Sequence, residues 1–463
     1  MKTVTRNRQV KPMSRKLNFK MLPLILSLAW PTMLEQLMQT AVQYIDTAMV
    51  GSLGTDATAA VGSTTTVNWL VGSSVSALGI GFIAFISQAL GAGKKEYAVR
   101  ASSQSVLAVT VSGLFFTVLT LAVSPFVPAL MQADESIRDL ASQYFFILYT
   151  PMLFRAATII FGAVLRGAGD SKTPMLAGIA VNIINVVLNF LLIYPTKTVT
   201  VFGKDITVFG ADMGVIGAAT ASAVAFTAGG ILITLALFRH KDIAPKALFM
   251  KPDKEILRPC LKVALPNMLQ RFGTSFGYVV FASMINSLGE ISTAAHTVAN
   301  TVESAFYIPG YGMQAAAATL MGNAHGAKDT EKAKDISRLL IFIEVSLMIL
   351  SGGLLFIFAE KMAGLFSDNA EVISLCSDVL RMVALSEPFY GVSLIIEGML
   401  QGIGNTKTPF IFNIVGMWGI RIVGSFICIK LLSMGLISAW ACMIGHNLML
   451  FAAFTVYHKN KYK

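Results

Sequence analysis

Long apolar stretches, separated by short polar segments, run through nearly the whole chain. A helix that crosses the roughly 30 Å hydrocarbon core of a bilayer needs about 20 mostly apolar residues. The pattern predicts about twelve such helices, at residues 21–50, 60–88, 101–126, 139–165, 173–195, 214–238, 259–285, 294–321, 338–359, 372–400, 408–430 and 433–457.

The chain carries one pattern twice, at a constant offset of 235 residues. Leu165–Pro174 reads LRGAGDSKTP and Leu400–Pro409 reads LQGIGNTKTP. Chance similarity would not hold one register between residues 29–174 and 264–409. Since six spans per repeat is an even number, both halves enter the membrane in the same direction.

We therefore predict an all-α polytopic membrane protein with two parallel six-helix lobes around a central cleft. Its expected parts are a basic tail (1–20), an N-terminal lobe (21–238), a basic linker (239–258), a C-terminal lobe (259–457) and a short tail (458–463).

The basic residues predict the orientation of the spans, because cytoplasmic loops carry an excess of Lys and Arg. Of the 36 Lys and Arg, 27 fall on the side of the two termini, five on the other side and four within spans. Both termini are thus expected in the cytoplasm, in a bacterial or archaeal plasma membrane. Loops facing anionic lipid explain the net charge of +11, so nucleic acid is not an expected partner.

The composition bounds the class of protein, because 55% hydrophobic and 13% charged residues describe a membrane protein. A receptor would be expected to carry a soluble domain, and we expect no enzyme and no cofactor. The four cysteines form no CxxC pair and have no nearby histidine at a metal-binding spacing, so we interpret them as reduced core residues.

Span 1 carries polar side chains along one face, namely Glu35, Gln39, Gln43 and Asp46. At about 100° per residue, the 11 residues between Glu35 and Asp46 return to nearly the same face. Charged groups inside a bilayer cost about 2.5–3.5 kcal/mol each on insertion scales. This face is therefore expected to line a cleft, and its acidity favours cationic substrates.

Asp46 is the better candidate for ion coupling, because it lies near the outer end of span 1, where external protons or sodium arrive. Its repeat equivalent is Phe281, so duplication does not explain the acid. The alternative is a structural, hydrogen-bonded carboxylate. On span 5, Asn182, Asn185 and Asn189 share one face and could ligate sodium or hold a carboxylate. Hydrogen bonding between helices is the competing interpretation of these amides.

The second half also holds charged residues within its spans. For Arg271 and Glu303, on adjacent spans, we expect an ion pair. The roles of the others stay open at this stage: Glu344, Glu387, Glu397 and Arg421. Aromatic side chains that could receive a flat cation are Trp69, Tyr278, Phe306, Tyr307 and Tyr390.

One motif invites a different interpretation. Gly167–Asp170 matches the GxGD pattern of intramembrane aspartyl proteases, but its repeat, Gly402–Asn405, lacks the acid. We interpret both as turns in which glycines end one span and Lys-Thr-Pro begins the next.

With the repeat, the segment Gln43–Gly54 (QYIDTAMVGSLG) and the twin turns, the chain resembles the multidrug and toxic compound extrusion (MATE) family. The resemblance implies a bundle of six plus six helices that exports organic cations in exchange for protons or sodium. It also implies that Asp46 takes part in coupling.

The resemblance is closer to the DinF-type subfamily than to the NorM type, because Thr274 and Tyr390 stand where the NorM type has carboxylates. The DinF type pairs the span-1 aspartate with an amide and a second acid, and here Asn185 and Asn189 hold those positions. The missing second acid leaves proton and sodium open as the coupling ion.

The expected function is secondary active efflux of organic cations through alternating access, by a monomer. Pro31 interrupts the hydrogen bonds of span 1 and offers a place to bend. The main rival is a flippase for lipids or lipid-linked oligosaccharides, which would need a basic cavity, and Arg155, Arg271 and Arg421 keep that rival open.

Overall fold

The structure, a computed structural model, describes residues 17–201 and 204–461. Most of the expected tail 1–20, and residues 462–463 of the expected tail 458–463, lie outside the described residues. The helices are α1 (Leu22–Gly51), α2 (Thr55–Gly91), α3 (Lys95–Val123), α4 (Val127–Leu130), α5 (Glu135–Tyr149), α6 (Met152–Gly167), α7 (Lys172–Ile193), α8 (Gly214–Phe238), α9 (Lys254–Asn286), α10 (Glu290–Gly326), α11 (Thr330–Gly364), α12 (Ala370–Ala384), α13 (Glu387–Gly402), α14 (Lys407–Ile414), α15 (Val423–Phe426) and α16 (Leu436–Lys461).

The shorter elements lie between and within these helices. Single 3-10 turns form at Phe19–Met21 and Ala247–Phe249. Two π-helical segments, Val415–Ile422 and Ile427–Leu431, continue α14 and α15 into one helical span. Strands β1 (Pro195–Val201) and β2 (Lys204–Ala211) pair antiparallel in a hairpin between α7 and α8.

The predicted membrane-spanning fold is confirmed. It differs from the prediction in two ways, because two of the predicted spans are bent and two others are less apolar than the rest. Eight helices of the described chain are long and apolar enough to cross a bilayer. Two further predicted spans are bent pairs, α5 with α6 at 51° and α12 with α13 at 54°. The breaks carry Pro151 and Pro388, since proline lacks the N–H that would continue a helix. Helices α9 and α10, at 33 and 37 residues, are long enough to cross but less apolar.

The sequence repeat is reproduced in the bounds of the helices. Helix α10 covers the residues of α2 shifted by 235, and α13 covers those of α6 in the same way. The turns agree as well, because Gly169 and Gly404 both adopt left-handed φ values, of 89° and 81°. Glycine adopts this left-handed conformation without strain, whereas a residue with a side chain would be strained at either position.

The predicted linker is shorter and more ordered than its composition suggests, because α9 begins at Lys254. The Gln104 amide of α3 donates to the carbonyl oxygens of Phe249 (2.6 Å) and Lys251 (2.7 Å). Lys95 donates to Asp242 at 2.8 Å and thereby lowers the pKa of that carboxyl. The linker is therefore held against the start of α3.

The two halves contact each other at the end of the bundle where α2 and α10 end, which we call the basic face. A Cβ atom added at Gly91 of α2 would lie 2.0 Å from the Asn323 carbonyl oxygen of α10. Likewise, a Cβ atom at Gly326 would lie 2.0 Å from the carbonyl oxygen of Gln88. These two contacts are equivalent under the repeat, so the α2–α10 crossing is self-complementary.

Further contacts join the halves at or near the basic face. The Gln88 amide donates to the Gly402 carbonyl oxygen at 2.8 Å, and the Thr319 hydroxyl donates to the Arg166 carbonyl oxygen at 3.1 Å. Toward the hairpin end, the Tyr44 hydroxyl donates to the Thr301 carbonyl oxygen at 3.3 Å. Gln43, Tyr44 and Ile45 are exposed, so the other helices leave the outer part of α1 uncovered at the hairpin end.

We expect Gly91→Ala to lower stability by about 1–3 kcal/mol, because the added methyl group collides with backbone rather than with a movable side chain. The matched control is Gly62→Ala on the same helix, where nothing lies within 4 Å of the added carbon. Thermal unfolding of the purified proteins in detergent measures both. Equal melting temperatures for the two variants would contradict the close crossing.

Candidate functional site

The polar cluster nearest the hairpin end joins Asp46 of α1 to two amides of α7. Asn189 donates to the Asp46 carboxylate with its Nδ2 atom at 2.5 Å from Oδ1. The orientation of the Asn185 amide that satisfies its neighbours places its nitrogen 2.8 Å from the same oxygen. In that orientation its oxygen accepts from the Ser222 hydroxyl of α8 at 2.9 Å. The predicted association of Asp46, Asn185 and Asn189 is thus present in the structure.

The local sequence explains how these side chains converge. Asn185 and Asn189 are four residues apart on α7 and so lie on one face of that helix. Both are buried, whereas Asp46 is half-buried. Glycines let α7 and α8 pack closely, since a Cβ atom at Gly229 would lie 2.2 Å from a methyl carbon of Val181.

The charge of Asp46 is not balanced by a cation. Within residues 17–201 and 204–461, no Lys or Arg forms an ion pair with it. The Asn189 Oδ1 atom is buried and has no hydrogen-bond partner. A carboxylate held by neutral amides beside a free amide oxygen can accept a proton or bind a monovalent cation.

Glu35, which shares the predicted face of α1, lies elsewhere. Its carboxylate accepts from the Arg166 guanidinium of α6 at 3.0 Å, in an ion pair with 14% and 18% of the two side chains exposed. The repeat equivalents of Glu35 and Arg166 are Gln270 and Gln401, and both amides donate to Glu397, at 2.9 and 3.1 Å. One site in each half therefore holds a carboxylate between helices.

The other predicted cleft residues do not join the Asp46 cluster. Gln39 and Gln43 are exposed on α1. Asn182 is half-buried, lines an apolar groove between α1 and α7 and has a buried Nδ2 atom without a partner. Trp69 is 63% exposed and Tyr278 is 49% exposed.

The expected ion pair between Arg271 and Glu303 is not formed. Arg271 donates to Asn267 on its own helix at 3.1 Å. Glu303 is buried, and the charge that acts on it comes from Arg421. Arg421 in turn stacks on the rings of Tyr278 and Phe281, at 4.6 and 4.3 Å from their centroids.

The GxGD segment forms the predicted turn. Asp170 accepts from the Thr173 backbone N–H at 3.0 Å and from its hydroxyl at 2.6 Å. Asn405 does the same for Thr408, at 3.3 and 3.1 Å. The acid and its amide counterpart therefore both cap the following helix.

Sequence reasoning missed Ser222 and Arg166 as partners. Ser222 lies in an apolar helix among other small residues, and no pattern marks it. Arg166 lies in the last turn of α6, just outside the predicted span 139–165, and its long side chain reaches back to Glu35. The repeat could have revealed this pair. An acid and a base in the first half, Glu35 and Arg166, both correspond to glutamines in the second half, Gln270 and Gln401.

Comparisons with known proteins agree with this architecture. The MatE family profile matches the chain twice, at residues 31–191 and 266–427. The chain is 27% identical to the probable multidrug resistance protein NorM of Thermotoga maritima, over 91% of this chain and 88% of that protein. It is 25% identical to the probable multidrug resistance protein YoeA of Bacillus subtilis, over 89% and 87%.

A solved structure supports the fold. The crystal structure of MATE in complex with MaL6 superposes with a TM-score of 0.87, covering 95% of this chain and 96% of that chain at 24% identity.

We expect Glu35→Gln to lower stability by roughly 1–3 kcal/mol, because it leaves the Arg166 charge unpaired at a site that is largely screened from solvent. The double variant Glu35→Gln with Arg166→Gln recreates the two glutamines of the other half and should be less destabilised than the single variant. Melting temperatures of the two single variants and the double variant form the test. Purely additive effects would show that the pair contributes no coupling energy.

Proposed function

Because the chain belongs to the MatE family of multidrug efflux transporters, we propose that it exports organic cations by antiport with protons or sodium, and that Asp46 carries the coupling. The contact of Asp46 with Asn185 and Asn189 carries this proposal. Asp46 carries a negative charge that no cation balances among the described residues. It lies near the exposed end of α1, a helix that packs against both halves.

The proposed orientation of the protein in the membrane rests on the distribution of its positive charges. The basic face carries the ends of the helices and the linker that the distribution of Lys and Arg places in the cytoplasm. The contact between the halves at that face and the exposed outer part of α1 at the hairpin end support an outward-open state. External ions then reach Asp46 without crossing the bundle.

The ion acts by changing which state is favoured. Binding to Asp46 removes an uncompensated charge and alters the hydrogen bonds that tie α1 to α7. A shift between outward and inward states requires that the ion bind the two states differently. Pro31 lies near the Thr32 hydroxyl, which donates to the Gly312 carbonyl oxygen at 2.8 Å. This bond anchors the inner part of α1 to the second half. In the proposed change, the outer part of α1 moves and releases the contact of Tyr44 with Thr301.

Substrate and ion compete in this proposal. A cation that enters the cleft is attracted by Asp46, and a proton or sodium ion on Asp46 removes that attraction. The amide hydrogens of Asn185 and Asn189 face the carboxylate, so these two amides do not turn their oxygen atoms toward a sodium ion that would sit on Asp46, and we propose the proton as the coupling ion. The position of the cluster in the first half supports our proposal that the chain is of the DinF type.

The flippase alternative gains little support. Arg155 lies against the rings of Tyr149 and Phe226, at 5.5 and 4.9 Å. In the second half, Arg421 lies against the rings of Tyr278 and Phe281, and Arg271 donates to Asn267. The three arginines therefore do not converge on a common site for phosphate.

We expect Asp46→Asn to reduce ion-driven transport of ethidium, a fluorescent organic cation, to the level of empty vesicles, because the neutral amide cannot bind the coupling ion. The control is Asp56→Asn, an exposed acid at the start of α2, which should transport normally. The assay uses vesicles that contain the purified protein. Full transport by the Asp46→Asn protein would refute the coupling role.

The coupling ion is identified by imposing a proton gradient and a sodium gradient separately in the same vesicles. We expect the proton gradient alone to drive ethidium transport, because the amides beside Asp46 present hydrogens rather than the oxygen ligands that a sodium ion would need. Asn189→Asp supplies a second carboxylate and should increase the response to sodium. Transport by the unmodified protein that requires sodium would overturn the preference for protons.

A further inference from the structure

The second half holds three buried carboxylates that the proposed coupling does not use. Glu303 of α10, Glu344 of α11 and Glu387 of α13 are 7%, 0% and 1% exposed. The first half has Asn68, Val109 and Met152 at the equivalent positions. Architecture shared by the two halves therefore does not require these acids.

Glu344 is the most isolated of the three. Both oxygens of its carboxyl group are buried without a hydrogen-bond partner, and so is the Oε2 atom of Glu387. An ionised carboxylate in this setting would lose its hydration with no hydrogen bond in exchange. A carboxyl group with a purely structural role would be expected to have hydrogen-bond partners, as Glu397 does.

Glycines make room for the Glu344 carboxyl group between α10 and α13. A Cβ atom at Gly310 of α10 would lie 2.8 Å from its Oε1 atom, and one at Gly391 of α13 would lie 3.1 Å from the same atom. Gly391 is one turn beyond Glu387. The carboxyl group of Glu344 thus points toward the helix that carries Glu387, so two ionised carboxylates at these positions would repel each other.

We propose that Glu344 is a second proton-binding site, in the second half, with Glu387 as its neighbour. Of the three carboxyl groups, Glu303 is the one on which the charge of Arg421 acts. The Glu344 carboxyl group has neither a hydrogen-bond partner nor an ion pair among the described residues, so it retains its proton. The site is separate from Asp46, since it lies among α10, α11 and α13 rather than between α1 and α7.

The other charged and titratable groups around this site belong to four elements. They are Glu303 and Tyr307 on α10, Glu387 and Tyr390 on α13, Arg421 in the π-helical segment, and His446 of α16 beside Arg421.

The test is infrared spectroscopy of the purified full-length protein, which distinguishes protonated from ionised carboxyl groups. The spectrum of Glu344→Gln is subtracted from that of the unmodified protein at neutral pH. We expect this difference spectrum to show the carbonyl band of a protonated carboxyl group. This band should weaken as the pH is raised. Glu387→Gln should change the pH at which it weakens, because the neighbouring group is gone.

The matched control is Glu360→Gln on the same helix, where 72% of the carboxylate side chain is exposed. Its difference spectrum should show the bands of an ionised carboxylate. If Glu344→Gln does not fold, Glu344→Asp retains the carboxyl group and should shift the band.

Ionised carboxylate bands for Glu344 at neutral pH would overturn the proposal, and so would a protonated band that does not respond to pH. Asp46→Asn should leave the Glu344 band in place. Failure of the Asp46 mechanism in vesicles is therefore distinguishable from failure of this inference.

Discussion

The close crossing of α2 and α10 at the basic face is the contact on which the rest of the structure depends. Gly91 and Gly326 bring the two backbones together so closely that no side chain fits at either position. Because the repeat makes this contact self-complementary, each half presents the same surface to the other. The halves are held together at the basic face, which leaves Asp46 near the accessible end of α1. In the proposed cycle this crossing must separate when the cleft opens to the cytoplasm.

The two halves share a backbone plan but differ in their buried charges. Glu35 and Arg166 form an ion pair in the first half, where Gln270 and Gln401 hold Glu397 in the second. These are two solutions to the same task of satisfying a carboxylate between helices. By contrast, Asp46 and Glu344 have no counterpart under the repeat. Charges without counterparts and without ion-pair partners carry a cost in stability, and in both proposals that cost supports ion binding.

Much of the fold could be predicted from the sequence. The length of a span depends on local composition, and the 235-residue offset follows directly from the match between the two repeats. The 51° and 54° bends were missed, because residues 139–165 and 372–400 are each long enough and apolar enough to form one straight span. The hairpin between α7 and α8 was missed as well. For the site, helical spacing predicted that Asn185 and Asn189 share a face, yet it could not separate them from Asn182. The wrong Arg271–Glu303 pair has a similar cause, because the rotation of one helix against another is set by packing and not by spacing.

The most direct test of the central claim measures whether Asp46 controls the opening of the hairpin end. Spin labels at positions 56 and 291, which are equivalent under the repeat and lie in opposite halves, report the width of that end. The distance between the two labels would be measured by electron paramagnetic resonance with and without the coupling ion, in a protein whose four native cysteines have been replaced. We predict that the ion shifts the distance in the otherwise unmodified protein and has no effect in Asp46→Asn. An equal shift in both proteins would contradict the account.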